Sequence, residues 1–327
     1  MFLIAAVLLS AAPQNVVLVT WDGVRWQDVF RRGPEAALPR FWARHAAHAT
    51  VFGDPASSVR FEVANVQLVS LPGYQELMTG SPVDCPGNGC GRVKRETIID
   101  ALDAHGLGDR CAVLGSWWQI ADAASMYERT FVDAGRKPGE PAAPWGAARR
   151  DRETWAKAMS ALQGQPRFLW VALNDSDEWA HLGRRDELES TLRQYDIWLD
   201  ELLETLRAMP GYGENTTVIV STDHGRGDGA AWVDHGRESP EARRIFAFAI
   251  GPGTGEKLEI DETFTHRDVR PTIEALLGLG PRARVLPGVT LPLGPAVTAQ
   301  VDSALARGAV EALSPAPRQP PQELGVP

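Results

Sequence analysis

The fold class this sequence predicts is a doubly wound α/β/α sandwich with a mostly parallel central sheet. Three observations lead there. Short runs rich in Val, Ile and Phe recur at 16–20, 112–114, 168–173, 217–221 and 246–250. They are apolar on both faces, as strands must be when helices cover a sheet from either side. Helical periodicity fills the stretches between them, so strand and helix alternate along the chain. No shift in composition divides the 327 residues into two cores, and a single domain over 14–313 is expected.

Ahead of the first strand, residues 2–12 read FLIAAVLLSAA. This run is too short to span a bilayer as a helix. It fits the apolar core of a signal peptide, with small residues at Ser10, Ala11 and Ala12 where cleavage can fall. Residues 1–13 are therefore read as a signal peptide and the protein as exported, periplasmic or secreted. No Lys or Arg precedes the run, so a buried segment of a cytoplasmic protein stays open as the alternative.

The clearest helix covers 185–209. There Leu188, Leu192, Tyr195, Leu199, Leu202 and Leu206 recur at steps of four and three, one apolar face. Pro210 and Gly211 end it. Shorter helices are expected at 97–105, 154–162 and 268–277. Residues 133–150, rich in Pro, Gly and Ala, read as a long surface loop. Residues 314–327 carry five prolines and little that is apolar, which predicts a flexible tail.

Lys and Arg total 33 against 42 Asp and Glu, a net charge of −9. A broad basic face for nucleic acid is thereby disfavoured, and an anionic substrate would need a local attractor such as a metal. Cys85 and Cys90, in the loop DCPGNGCG, can close a small disulfide if the protein is exported. Two cysteines alone make a poor zinc site. Cys111 opens an apolar run and reads as a buried thiol.

In open α/β sheets, ligands bind beyond the carboxyl ends of the strands. Asp22 follows the first run directly, with Gly23 permitting a tight turn. The run ending at Leu173 leads into NDSDEWAHLG, where Asp177 and His181 stand one helical turn apart and can face one point. The run ending at Ser221 leads into Thr222, Asp223 and His224, and His235 follows eleven residues later. Three of the seven histidines thus lie at or near two strand ends, each with an aspartate close by. The other four, His45, His48, His105 and His266, read as structural or solvated. Ser70 precedes Pro72 at the start of a predicted helix, placed to present its hydroxyl or to serve as a plain cap.

Together these places resemble the alkaline phosphatase superfamily, most closely its nucleotide pyrophosphatase/phosphodiesterase-like branch. The segments VLVTWDGV, SLPGYQELMTG, DSDEWAHLG, VSTDHGRG and WVDHG occur in the family's order, and RDVRPTIEALLGL looks like its Asp-x-x-Pro-Thr helix. The resemblance implies an alkaline phosphatase-like fold with two divalent metal ions, Zn2+ by family habit. One ion would be held by Asp22, Asp223 and His224 beside the nucleophile Ser70, the other by Asp177, His181 and His235. Asn88 matches the family asparagine that binds a substrate oxygen. The implied substrate is a small-molecule phosphoric ester, a phosphodiester in this branch. Tyr74 stands four residues after Ser70, where sulfatases of this fold have Arg, which speaks against a formylglycine sulfatase. A phosphonate or sulfate-ester hydrolase, a phosphomutase-like relative and a non-catalytic metal-binding member remain the alternatives. Arg226 and Arg237, each two residues past a candidate ligand, either reach a non-bridging oxygen or are solvated. Trp117 and Trp118 either line the cleft or pack in the core. No transmembrane span beyond the signal segment is expected, and oligomeric state is not indicated.

Overall fold

The computed structural model describes residues 14–135, 149–255, 257–279 and 288–294. The expected signal peptide, the C-terminal tail and residues 136–148 of the expected loop lie outside these.

The strands are β1 (Asn15–Trp21), β2 (Ala49–Phe52), β3 (Arg60–Glu62), β4 (Cys111–Gly115), β5 (Val132–Asp133), β6 (Phe168–Leu173), β7 (Thr216–Ser221), β8 (Ala247–Ile250) and β9 (Thr263–Thr265). The helices are α1 (Trp26–Val29), α2 (Ser70–Thr79), α3 (Ile98–Ala104), α4 (Ile120–Ala124), α5 (Asp151–Leu162), α6 (Asp175–His181), α7 (Arg185–Arg207) and α8 (Val269–Leu276). Seven strands form one sheet in the order β2-β8-β7-β1-β6-β4-β5, and β3 pairs with β9 apart from it. From β7 across to β5 every pairing is parallel, whereas β8 runs antiparallel to both β7 and β2. The fold is the mostly parallel, doubly covered sandwich that the apolar runs predict.

Each central strand alternates its side chains between two cores. Val16, Leu18, Phe168, Trp170 and Ile219 face one side with Leu71 and Leu77 of α2, Ile98 of α3 and Ile273 of α8. Val17, Val19, Leu169, Val171, Val218 and Val220 face the other with Trp155 of α5 and the Leu188–Leu206 stripe of α7. Because both faces are apolar, β1, β6 and β7 are buried at every residue.

Helix α7 matches its expected face and ends two residues early. Helix α3 begins after Thr97, which closes a capping box with Asp100. Helix α5 starts at Asp151 rather than 154, because a buried side chain, not periodicity, sets that end. Strands β2, β3, β5 and β9 were too short to carry a readable pattern. His45 bonds Asp200 at 2.8 Å, His105 Nδ1 donates to the Ala101 carbonyl, His266 Nε2 donates to the Thr222 carbonyl and His48 is exposed, so these four are structural or solvated as expected.

Candidate active site

The site forms where β7, β1 and β6 end side by side. The parallel register pairs Thr20 with Ser221 and Trp21 with Leu173, so the residues after all three strands emerge at one level. Asp22 continues the ladder by donating its N–H to the Leu173 carbonyl at 2.9 Å. Gly23 then turns with φ 63°, and a Cβ there would meet Asp177 Oδ1 at 2.5 Å. Only glycine allows the two strand ends to approach this closely.

Two groups of side chains able to hold a metal ion converge among the described residues. Asp22, Asp223 and His224 form one; Asp177, His181 and His235 form the other, and within each group the donor atoms lie within 4.8 Å of one another. The rings of His224 and His235 stack with centroids 3.9 Å apart, so the two groups share a wall. The first group is buried throughout, while His181 and His235 are partly open. Nε2 of His181 faces Nε2 of His235 at 3.0 Å and Asp177 Oδ2 at 3.3 Å. His224 Nε2 lies 3.3 Å from Asp223 Oδ2 and 3.6 Å from Asp22 Oδ1.

The outer contacts orient these donors. Nδ1 of His224 donates to the Gly225 carbonyl at 2.8 Å, and Nδ1 of His235 to the Leu68 carbonyl at 3.0 Å. A carbonyl only accepts, so each ring carries its proton on Nδ1 and turns Nε2 inward as a lone pair. Leu68 is held at φ 50°, a left-handed conformation uncommon for leucine, and that conformation aims its carbonyl at His235. Gly23 N–H donates to Asp223 Oδ1 at 3.0 Å, whereas Asp223 Oδ2 is buried without a hydrogen bond.

Electrostatics follow from this crowding. Burial raises Asp22 well above the usual carboxylate range, and the charges of Asp223 and Asp177 add to it. Burial pushes Asp223 up to about 6. Burial also depresses both imidazoles, His224 to about 4 and His235 to about 3, with the neighbouring ring adding to the effect on His235. Neutral imidazoles are what a metal requires. Burial also opposes ionisation of Asp177, yet the Arg226 guanidinium holds it far below its ordinary value. Three convergent carboxylates, two inward-facing lone pairs and an orphaned Asp223 oxygen fit divalent cations.

Ser70 opens α2 and is 4% exposed. Its Oγ lies 3.2 Å from His224 Nε2 and 3.3 Å from Asp22 Oδ1. The next residue, Leu71, donates its N–H to Asn88 Oδ1 at 2.9 Å, so Asn88 fills a free donor of the helix start from another loop. Cys85 and Cys90 are joined in a disulfide that closes the loop carrying Asn88. Cys111 is a buried thiol pushed up to about 12 by burial. Tyr74 is fully buried, its ring 5.7 Å from that of Trp170 and 6.5 Å from that of Trp117. Trp117 therefore packs half-buried against the core.

All seven predicted residues, the six ligands and Ser70, are brought together, with Asn88 one residue away. Arg226 corrects the expectation: it is neither solvated nor free for substrate but 1% exposed, with each of its three nitrogens hydrogen-bonded, whereas Arg237 is exposed. Three contributors escaped sequence reading. Gly73 of α2 packs on the Asp223 backbone so tightly that a Cβ would lie 2.5 Å from the Asp223 carbonyl oxygen. Ser176 Oγ donates to the Asp22 carbonyl at 2.7 Å, tying β1 to α6. Asp151, buried, accepts the N–H groups of Asn174 and Asp175 at 2.8 and 2.9 Å and the hydroxyl of Tyr195, which secures the start of α6. A polar residue on an otherwise apolar helix face, as Tyr195 is, was the only available signal.

The model of the family described as type I phosphodiesterase / nucleotide pyrophosphatase matches residues 90–243. That span holds five of the six ligand candidates, but neither Asp22 nor Ser70. Among solved structures, a 2-O GAG sulfatase aligns with TM-score 0.58 and 14% identity over 86% of this chain and 74% of its own. The lipoteichoic acid synthase LtaP from Listeria monocytogenes aligns with TM-score 0.58 and 14% identity over 87% and 75%. A protein in the alkaline phosphatase superfamily from Vibrio parahaemolyticus aligns with TM-score 0.56 and 16% identity over 82% and 67%. No curated protein matches the chain. The resemblance carried by the ordered motifs thus agrees with that family model over residues 90–243, and the solved structures share the expected fold.

Proposed function

We propose that this protein is a metal-dependent hydrolase of phosphoric esters, acting on phosphodiesters through Ser70. The observation that carries the reading is the Ser70 hydroxyl, seated at a helix start 3.2–3.3 Å from two members of a complete Asp22–Asp223–His224 set.

Two divalent cations, Zn2+ by the mixed carboxylate and imidazole donors, would neutralise the carboxylates and stabilise charge on the entering and leaving oxygens. Asp22, Asp223 and His224 would hold one; Asp177, His181 and His235 the other. Ser70 gives its proton to solvent, and Oγ forms a bond to phosphorus in line with the ester oxygen that leaves. The alcohol departs protonated by water. A second water cleaves the phosphoseryl ester and restores the hydroxyl. The α2 N-terminus favours the anion as it arrives. Asn88 Oδ1 is occupied by Leu71, so its amide NH2 is the group free to donate to a substrate oxygen. Tyr74 replaces the cation expected of a sulfatase and is buried against tryptophans, which favours phosphoryl over sulfuryl transfer.

The same reading assigns catalysis to one domain over 14–313 and the protein to an exported location. The disulfide between Cys85 and Cys90 supports an oxidising compartment. No helix among the described residues is long and apolar enough to cross a membrane.

The test is purified protein loaded with Zn2+ and offered a diester, a monoester and a sulfate ester of one chromogenic alcohol. The diester should be cleaved fastest. Ser70→Ala should abolish turnover while retaining both ions. Undiminished turnover in that variant, or hydrolysis of the sulfate ester alone, would overturn the proposal.

A further inference from the structure

Arg226 lies two residues past His224 and is among the largest fully buried side chains. Burying a guanidinium is costly unless every donor finds a partner. Here Nε donates to the Gly23 carbonyl at 3.1 Å and Nη1 to the Val233 carbonyl at 2.6 Å. Nη2 donates to the Asp177 carbonyl at 3.2 Å and to Asp177 Oδ1. These acceptors sit on three separate segments: the turn after Asp22, helix α6 with Asp177 and His181, and the turn that leads to His235. Arg226 itself extends from the fourth, which carries Asp223 and His224. One planar side chain therefore touches every segment that bears a candidate ligand.

We infer that Arg226 is a positioning residue that fixes Asp177 as a one-oxygen ligand and preforms the Asp177–His181–His235 set. Its fork engages Oδ1 and leaves Oδ2 turned toward His181 Nε2 at 3.3 Å. Gly23 is part of the same device, because a Cβ there would strike Asp177 Oδ1 at 2.5 Å and the guanidinium at 3.1 Å. Lysine keeps the charge but lacks the fork: a single ammonium cannot meet three carbonyls and a carboxylate on diverging segments. The effect is selective. In the other set, Asp223 and His224 take their orientation from Gly23 N–H and the Gly225 carbonyl, and the guanidinium reaches that set only through the Gly23 carbonyl rather than through a ligand side chain.

The inference rests on the metal-site reading, and calorimetric titration of metal-stripped protein with Zn2+ separates the two. Wild type should take up two ions per chain. Fewer than two would overturn the metal-site reading itself. Arg226→Lys should bind one ion as wild type does and the other about 10–100-fold more weakly. Arg226→Met, judged folded by circular dichroism, should show the same selective loss; if it does not fold, Arg226→Lys decides. Two ions bound with wild-type affinity in Arg226→Lys would overturn the inference. So would equal weakening of both ions, which marks a general loosening, or tighter binding in Arg226→Met, which marks a purely electrostatic role.

Discussion

Gly73→Ala perturbs the site without removing any functional group. Alanine in the middle of α2 should by itself stabilise the helix by about 1 kcal/mol relative to glycine. The structure opposes this. The new methyl would lie 2.5 Å from the Asp223 carbonyl oxygen, 3.2 Å from its carbon and 3.3 Å from the Asp223 Cβ. The carbonyl belongs to a buried strand end and cannot swing away as a flexible side chain would. Restoring ordinary contact requires α2 and the Asp223 loop to separate by about 1 Å, an overpacking cost of about 1–3 kcal/mol. Net stability should therefore fall by up to about 2 kcal/mol. Ser70 sits one turn earlier on the same helix, so its 3.2 Å approach to His224 and 3.3 Å approach to Asp22 would lengthen together. A misplacement of about 1 Å costs about 100-fold in rate. Urea unfolding and diester turnover at saturating Zn2+ measure the two effects. A variant more stable than wild type with turnover within twofold would refute the reasoning, since it would mean that the helix and the ligand loop are not in hard contact.

Other perturbations report on separate parts of the site. His235→Ala should lower bound Zn2+ to about one ion per chain by elemental analysis, because it removes a donor and leaves the Leu68 carbonyl unpaired; two ions retained would dismiss His235 as a ligand. Cys85→Ser with Cys90→Ser opens a loop of sequence separation 5 and should cost about 2 kcal/mol by thermal or urea unfolding. It should also weaken diester binding by loosening Asn88, and an unchanged KM would show that the bridge does not position that residue. Burial, with the Asp175 charge, raises Asp151 to about 7 from an ordinary 3.8. Its contribution to stability is thus complete below about pH 4 and is lost as pH rises through about 7. Unfolding of wild type and Asp151→Asn compared from pH 4 to 8 should show the wild-type advantage shrinking with pH; a constant difference would mean that the carboxyl titrates normally.

Much of this protein is legible along its chain because burial leaves a local imprint. Strands β1, β6 and β7 are covered on both faces, so each is dominated by apolar residues, and the charged and imidazole residues that follow them stand out. Parallel strands in register bring those ends to one level, which is why Asp22, Asp177, Asp223 and His224 could each be singled out along the chain, whereas their grouping around Ser70 came from the family resemblance. The stripe of α7 was equally plain, since one face packs on the sheet and the other meets water. What tertiary structure decided were the partners. The apolar run ending at Ile250 does not say whether its strand runs parallel or antiparallel, and β8 turns out antiparallel because that depends on its pairing with β7 and β2, strands elsewhere in the chain. Along the chain Arg226 reads as either a substrate contact or a solvated residue, yet the carbonyls of Gly23, Asp177 and Val233 and the Asp177 carboxylate draw it inside. Gly73 looks like a defect in a helix until the Asp223 backbone lies against it. Asp151 and Tyr195 reveal their purpose only when α6 starts between them. Side-chain periodicity records whether a residue is buried, but the identity of what it touches is a long-range property that only the assembled chain specifies.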